Sequence, residues 1–213
     1  MNTKNNIARF EQLMAKVNRP GVDKLMNYIK TSDFYTAPAS TRFHLSVEGG
    51  LLQHSLNVYD RLASKLDDKL IGQELVSSGV SEESIVIVAL LHDLCKTNFY
   101  SVSMRNVKNE SSGQWEKVPY FTVDDKIPYG HGEKSAMMVE SYIKLSPPER
   151  YAIRWHMGYS EPKEYYSALN TVLQRYPLAL ALYEADLEAS NLMESEKDNK
   201  ITVNADDDGF EEC

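Results

Sequence analysis

The stretch Ser81-Glu-Glu-Ser-Ile-Val-Ile-Val-Ala-Leu-Leu-His-Asp-Leu-Cys-Lys96 decides the fold. Its seven consecutive apolar residues, Ile85 to Leu91, suit a buried strand or a buried helix equally well. Ser81 supplies an N-cap, and Glu82 and Glu83 place acids in a first helical turn. Continuation to Lys96 gives about 15 residues, longer than an ordinary strand, so the stretch predicts a fully buried helix. Directly after the apolar run comes the ionisable pair His92-Asp93. A buried carboxylate costs several kcal/mol, or shifts its pKa, unless it is paired or binds a metal.

Helical periodicity extends outward on both sides. Upstream, Ile7, Phe10, Leu13, Met14 and Val17 repeat at three- and four-residue intervals, and Val22, Leu25, Met26 and Ile29 do so after Pro20-Gly21. A Ser-, Thr-, Ala- and Pro-rich loop follows over about 31–42, and Glu48 to Leu66 carries Leu51, Leu52, Ser55, Leu56 and Tyr59 in helical phase. Downstream, Phe99 to Tyr129 breaks the pattern. Tyr100, Val102 and Met104 alternate with polar residues, Asn109 to Gly113 has turn chemistry, and Trp115, Val118, Tyr120, Phe121 and Val123 resume a β-like composition. This predicts an inserted hairpin. Helices are expected again over 132–145, after Ser146-Pro-Pro-Glu149 with its capping box, and from Pro177 to about Glu194. The fold class is therefore all-α, a helical bundle with a β-hairpin at 99–129, in one domain over 1–196.

The 213 residues are enough to bury a core without staples, and 42% hydrophobic with 25% charged residues is an ordinary globular composition. No apolar run approaches the ~20 residues of a membrane span. The start of the chain lacks the features of a signal peptide, and two cysteines, Cys95 and Cys213, argue for a reducing compartment, so a cytoplasmic protein is expected. The net charge of -8 argues against a phosphate-tracking surface for extended nucleic acid. Residues 197–213 carry six acids and two bases and read as a solvated, disordered tail.

The chemistry lies in five histidines, His44, His54, His92, His131 and His156. They sit in the strings FHLSVEGGLLQHS, LLHDLCK, YGHGEKS and RWHMG. Asp186 repeats the oddity of Asp93, since it follows Leu178-Ala-Leu-Ala-Leu-Tyr183 on another apolar helix. Acids and imidazoles on internal helices suit a borderline divalent cation. Taken singly, each buried histidine is more often a hydrogen-bonded core residue. Lys96 either offsets phosphate charge or pairs with an acid. His44 is either a phosphate contact at a cleft edge or a loop residue. Glu133 and Lys134 read as a solvated helix start and Arg154 as a surface residue, while the hairpin aromatics either wall a cleft or pack the hairpin onto the helices.

The ordered set His54, His92-Asp93 and Asp186 resembles the signature of the HD-domain superfamily of metal-dependent phosphohydrolases. GGLLQHS is similar to the segment bearing that family's first histidine, and HDLCK to its HD-x-G-K string, with Cys95 in place of the common glycine. The resemblance covers about residues 40–192. It implies a helical bundle in which one metal takes His54, His92, Asp93 and Asp186. In two-metal branches a second takes Asp93, His131 and His156. It further implies hydrolysis of a small phosphorylated substrate, such as a nucleotide, by a metal-activated water, with Asp93 and Lys96 in catalytic roles and His44 and Lys96 at the substrate. The mixed donor set suits Mn, Fe, Co or Ni, with Mg and Zn as alternatives. The same ligand order occurs in HD-fold diiron oxygenases, and a noncatalytic nucleotide-binding module is a third reading. Oligomeric state, substrate and pathway are not legible in the sequence.

Overall fold

A computed structural model describes residues 2–109 and 111–194. The acidic segment 197–213 lies outside the described residues. The chain forms α1 (Thr3–Met14), α2 (Val22–Thr31), α3 (Gly50–Ser64), α4 (Ile71–Ser77), α5 (Glu82–Leu91), β1 (Tyr100–Lys108), β2 (Trp115–Val123), α6 (His131–Glu140), α7 (Pro147–Trp155), α8 (Tyr166–Arg175) and α9 (Pro177–Glu188). Helices thus dominate, with one two-stranded antiparallel sheet between α5 and α6. No single described helix is long and apolar enough to cross a membrane.

α5 is the axis of the bundle. Ile85 through Leu91 are all buried, as expected of a helix apolar on every side, and α3 and α7 pack against it. Ser81 caps it by accepting the Ser84 N–H. The helix is shorter than the sequence predicts. It stops at Leu91, His92 and Asp93 leave it, and a tight 3-10 turn carries Leu94–Lys96. The cause is His92, whose Nδ1–H bonds the Ala89 carbonyl 2.9 Å away and so takes up one of the terminal acceptors of the helix. α9 packs on both α3 and α7 and completes the core.

Ser146 and Glu149 form the predicted capping box at the start of α7. Glu149 also has a long-range duty. It is wholly buried, accepts two bonds from the Arg19 guanidinium at 2.6 and 2.7 Å, and accepts the Ser84 hydroxyl at 2.7 Å. These contacts tie the α1–α2 connection, α5 and α7 together. Burial alone would raise the Glu149 pKa, but the bonds from Arg19, Ser84 and the Ser146 N–H lower it below its ordinary value of 4.5. The pair's stabilisation is therefore complete above that value and is lost as pH falls through the folded-state pKa. Arg19→Met is expected to cost about 3–5 kcal/mol in urea unfolding at pH 7, the usual penalty for stranding a buried charge. A loss under 1 kcal/mol, or one independent of pH between 7 and 3, would contradict this role.

Three residues read as solvated are not. Lys134 is buried, with its ammonium 2.6 Å from Asp125 and 5.0 Å from the Phe99 ring centre. Arg154 pairs with Glu133 and Glu161 and stacks on Trp155. These contacts anchor the segment after the hairpin, so the charges secure an irregular connection. The strands pair in register from Tyr100 opposite Val123 to Lys108 opposite Trp115. Tyr100 packs edge-on to Phe99 and donates to the Ala39 carbonyl, whereas Trp115 is 70% exposed at the far end of the ribbon. Packing onto the body therefore holds at the base of the hairpin and fails at its tip.

Candidate metal centre

Five side chains from four parts of the chain meet where α5 and α7 end. His54 projects from the middle of α3, His92 and Asp93 follow α5, His156 follows α7, and Asp186 lies on α9. His54 Nε2 is 3.2 Å from His92 Nε2, 3.2 Å from an Asp186 oxygen and 3.6 Å from Asp93 Oδ2. His92 Nε2 is also 3.6 Å from Asp93 Oδ2, and His156 Nε2 is 3.5 Å from Asp93 Oδ1. All five residues are buried or nearly so.

Each imidazole is oriented by its other nitrogen. His156 Nδ1–H bonds the Ile153 carbonyl at 2.7 Å, the same three-residue return that His92 makes to Ala89. His54 Nδ1–H bonds the Glu194 carboxylate at 3.0 Å. An Nδ1 facing an acceptor must carry the proton, so all three Nε2 atoms can present lone pairs to the centre. Three lone pairs and two carboxylates then face one another, and among the described lysines and arginines Lys96 is the one that touches them, 2.6 Å from Asp93 Oδ2. Asp93 Oδ1 and His156 Nε2 are buried without any hydrogen-bond partner among the described residues. Such a donor set repels itself unless a cation joins it. Metal bonds of ~2.0–2.2 Å would put neighbouring ligand atoms roughly 3 Å apart, which matches the separations found. Two overlapping trios, His54 with His92 and Asp93, and His92 with His156 and Asp186, could each hold an ion.

The electrostatics point the same way. Burial would lower the His54 pKa, but Asp186 and Glu194 overcome it and raise it to about 10, because a proton on Nε2 is the simplest charge that quiets the cluster. Burial pushes His92 down to about 4, with Asp93 offsetting only part of the effect. Burial opposes ionisation of Asp93, yet Lys96 and the imidazoles hold its pKa well below the ordinary range.

The other expected residues stand around this centre. His131 opens α6 but belongs to neither trio; its Nδ1 is 3.3 Å from Cys95 Sγ. His44 lies with its ring 5.0 Å from that of His54, and its buried Nε2 has no hydrogen-bond partner among the described residues, with Glu194 at 4.0 Å. Together with His54 and Glu194 it forms a third group able to hold an ion. Lys96 reaches Asp93 through the 3-10 turn instead of along a helical face, and its pKa is raised by Asp93 despite burial.

Glu194 is the residue that sequence reasoning missed. The chain leaves α9 through a π turn, Ala189–Met193, and returns Glu194 beneath His54, where it also accepts from Asn57 at 2.8 Å. Such turns are rare and gather at functional sites. Glu194→Gln keeps the shape and lets the imidazole flip its tautomer, so metal affinity is expected to fall about 10- to 100-fold in competitive chelation. Unchanged affinity would leave Glu194 a purely structural acid.

Two glycines explain the local strings. A Cβ on Gly50 would collide with the Leu45 carbonyl oxygen, and one on Gly132 with the Arg154 carbonyl oxygen. The first lets α3 start against the His44 loop; the second lets α6 cross α7 closely enough for His131 to approach Cys95.

Over 64 residues, 30% of its length, the chain is 39% identical to the dihydroneopterin 2',3'-cyclic phosphate phosphodiesterase of Methanocaldococcus jannaschii. The match spans about a quarter of that relative's length, 24%. No protein-family model matches the chain. No solved structure matches it.

Proposed function

We propose that this protein is an HD-type, metal-dependent phosphohydrolase acting on a small phosphoester, in keeping with the reducing, cytoplasmic setting that suits a free Cys95. The observation that carries the proposal is the convergence of three imidazole Nε2 atoms on two carboxylates, with each Nδ1 turned to an acceptor. The phosphodiesterase named by the similar protein agrees with this chemistry.

His54, His92, Asp93 and Asp186 would hold the first ion, and Asp93, His156 and His131, through its remaining Nε2, a second. Four nitrogens and two carboxylates favour Mn, Fe, Co or Ni over Mg. When bound, a divalent ion supplies Lewis acidity toward a phosphoryl oxygen and lowers the pKa of a coordinated water. The protein's own part is positional. Ala89 and Ile153 carbonyls and the Glu194 carboxylate fix the imidazoles, and Lys96 holds Asp93 ionised and adds positive charge where a phosphoryl group becomes more negative.

Purified protein loaded with Mn or Co is expected to contain one to two metal equivalents and to hydrolyse bis-p-nitrophenyl phosphate or a nucleotide. Stoichiometric metal with no hydrolysis across a broad phosphoester screen, together with oxygen consumption on a polyol, would overturn the hydrolase reading in favour of an oxygenase.

A further inference from the structure

The loop before α3 has two faces. Ser40 accepts the Phe43 N–H at 2.9 Å and donates to the His44 carbonyl at 2.8 Å, and the Ala39 N–H bonds the Leu45 carbonyl at 3.1 Å. Leu45 is held at a positive φ of 44°, a strained conformation for a branched side chain. The closed loop turns His44 inward to His54 and leaves Arg42 and Phe43 outside, with Phe43 76% exposed. Across from them stands the hairpin, tied to the same loop by the Tyr100 bond to Ala39. Between the two lies a groove of about 560 Å³, lined by Arg42, Phe43, Arg105, Tyr120 and Phe121 among others. That is the size range of small-ligand sites.

The charge in this groove is selective. Of the eight arginines, Arg9, Arg19, Arg61, Arg150 and Arg154 are held by carboxylates. Arg42, Arg105 and Arg175 have no ion pair among the described residues, and two of these three line one groove in a chain of net charge -8. Arg105 lies over the Tyr120 ring at 5.4 Å, which fixes its plane. Unpaired guanidiniums match phosphate oxygens, and the aromatic walls match a flat ring.

We propose that this groove, on the outer face of the loop, binds a nucleotide, with Arg42 and Arg105 taking its phosphates and the aromatic walls its base. The inference rests on the residues of the groove and stands apart from the phosphohydrolase reading. His44, two residues from Arg42, turns the other way, toward His54, so the loop stands between the groove and the centre.

Isothermal titration of the full chain with adenosine 3′,5′-bisphosphate, adenosine 5′-monophosphate and ribose 5-phosphate tests the proposal. The bisphosphate is expected to bind at least ~10-fold tighter than the monophosphate, and the monophosphate tighter than the ringless sugar phosphate. R42Q/R105Q should erase the first difference and Phe43→Ser should narrow the second, with circular dichroism unchanged because the three side chains are exposed. Equal affinity of wild type and R42Q/R105Q for the bisphosphate would overturn the proposal. Arginine-dependent binding without any phosphoester hydrolysis would support the groove and reject the catalytic reading; hydrolysis of p-nitrophenyl phosphate without arginine-dependent binding would reject the groove alone.

Discussion

Asp93→Ala is expected to strip most of the metal and to lower turnover roughly 10³-fold or more, while far-ultraviolet circular dichroism retains its helical signal. Asp93 is the hub of the cluster, within 3.6 Å of His54 and His92, 3.5 Å of His156 and 2.6 Å of Lys96. Its two oxygens face different histidines, Oδ2 toward His54 and His92 and Oδ1 toward His156, so its deletion opens both sides of the centre. The helices themselves are built on the apolar surfaces of α3, α5, α7 and α9, none of which involves Asp93. Elemental analysis of Asp93→Ala and His92→Ala beside wild type gives the answer; stoichiometric metal in both variants would contradict the assignment.

Lys96→Met separates charge from volume. The ammonium sits 2.6 Å from Asp93 and is itself mostly buried, so it neutralises the carboxylate without being a ligand. Metal content is expected to persist while turnover falls about 10- to 1000-fold, corresponding to the ~2–4 kcal/mol of a lost transition-state donor. A fall confined to KM would assign Lys96 to ground-state binding. Unchanged kinetics with a lowered melting temperature would leave it a structural partner of Asp93.

The legible parts of this molecule are those whose signal is local. The capped apolar run of α5, the capping box of α7 and the alternation of the hairpin all follow from residues a few positions apart. His92, Asp93 and Asp186 stand out because ionisable groups interrupt apolar helices, and His54 because GGLLQHS resembles the segment bearing the first histidine of the HD-domain superfamily. The end of α5 was not legible, since it depends on His92 bonding Ala89, and an extended helix leaves the same sequence pattern. α4 and α8 are short, and their sequences carry no distinctive helix signal. Glu194 had no local signal at all, because its partner His54 is 140 residues away and the π turn that delivers it is not written in periodicity. Lys134 and Arg154 differ from their sequence reading for a related reason: a charge at a helix end looks solvated until the connection packed over it is known.

X-ray absorption on the Co- or Mn-loaded protein tests the central claim most directly. The account predicts a mixed nitrogen and oxygen shell with the outer-shell scattering of about two imidazoles per ion, reduced in His156→Ala. A shell of oxygen alone, or a spectrum unchanged by loss of His156, would contradict it.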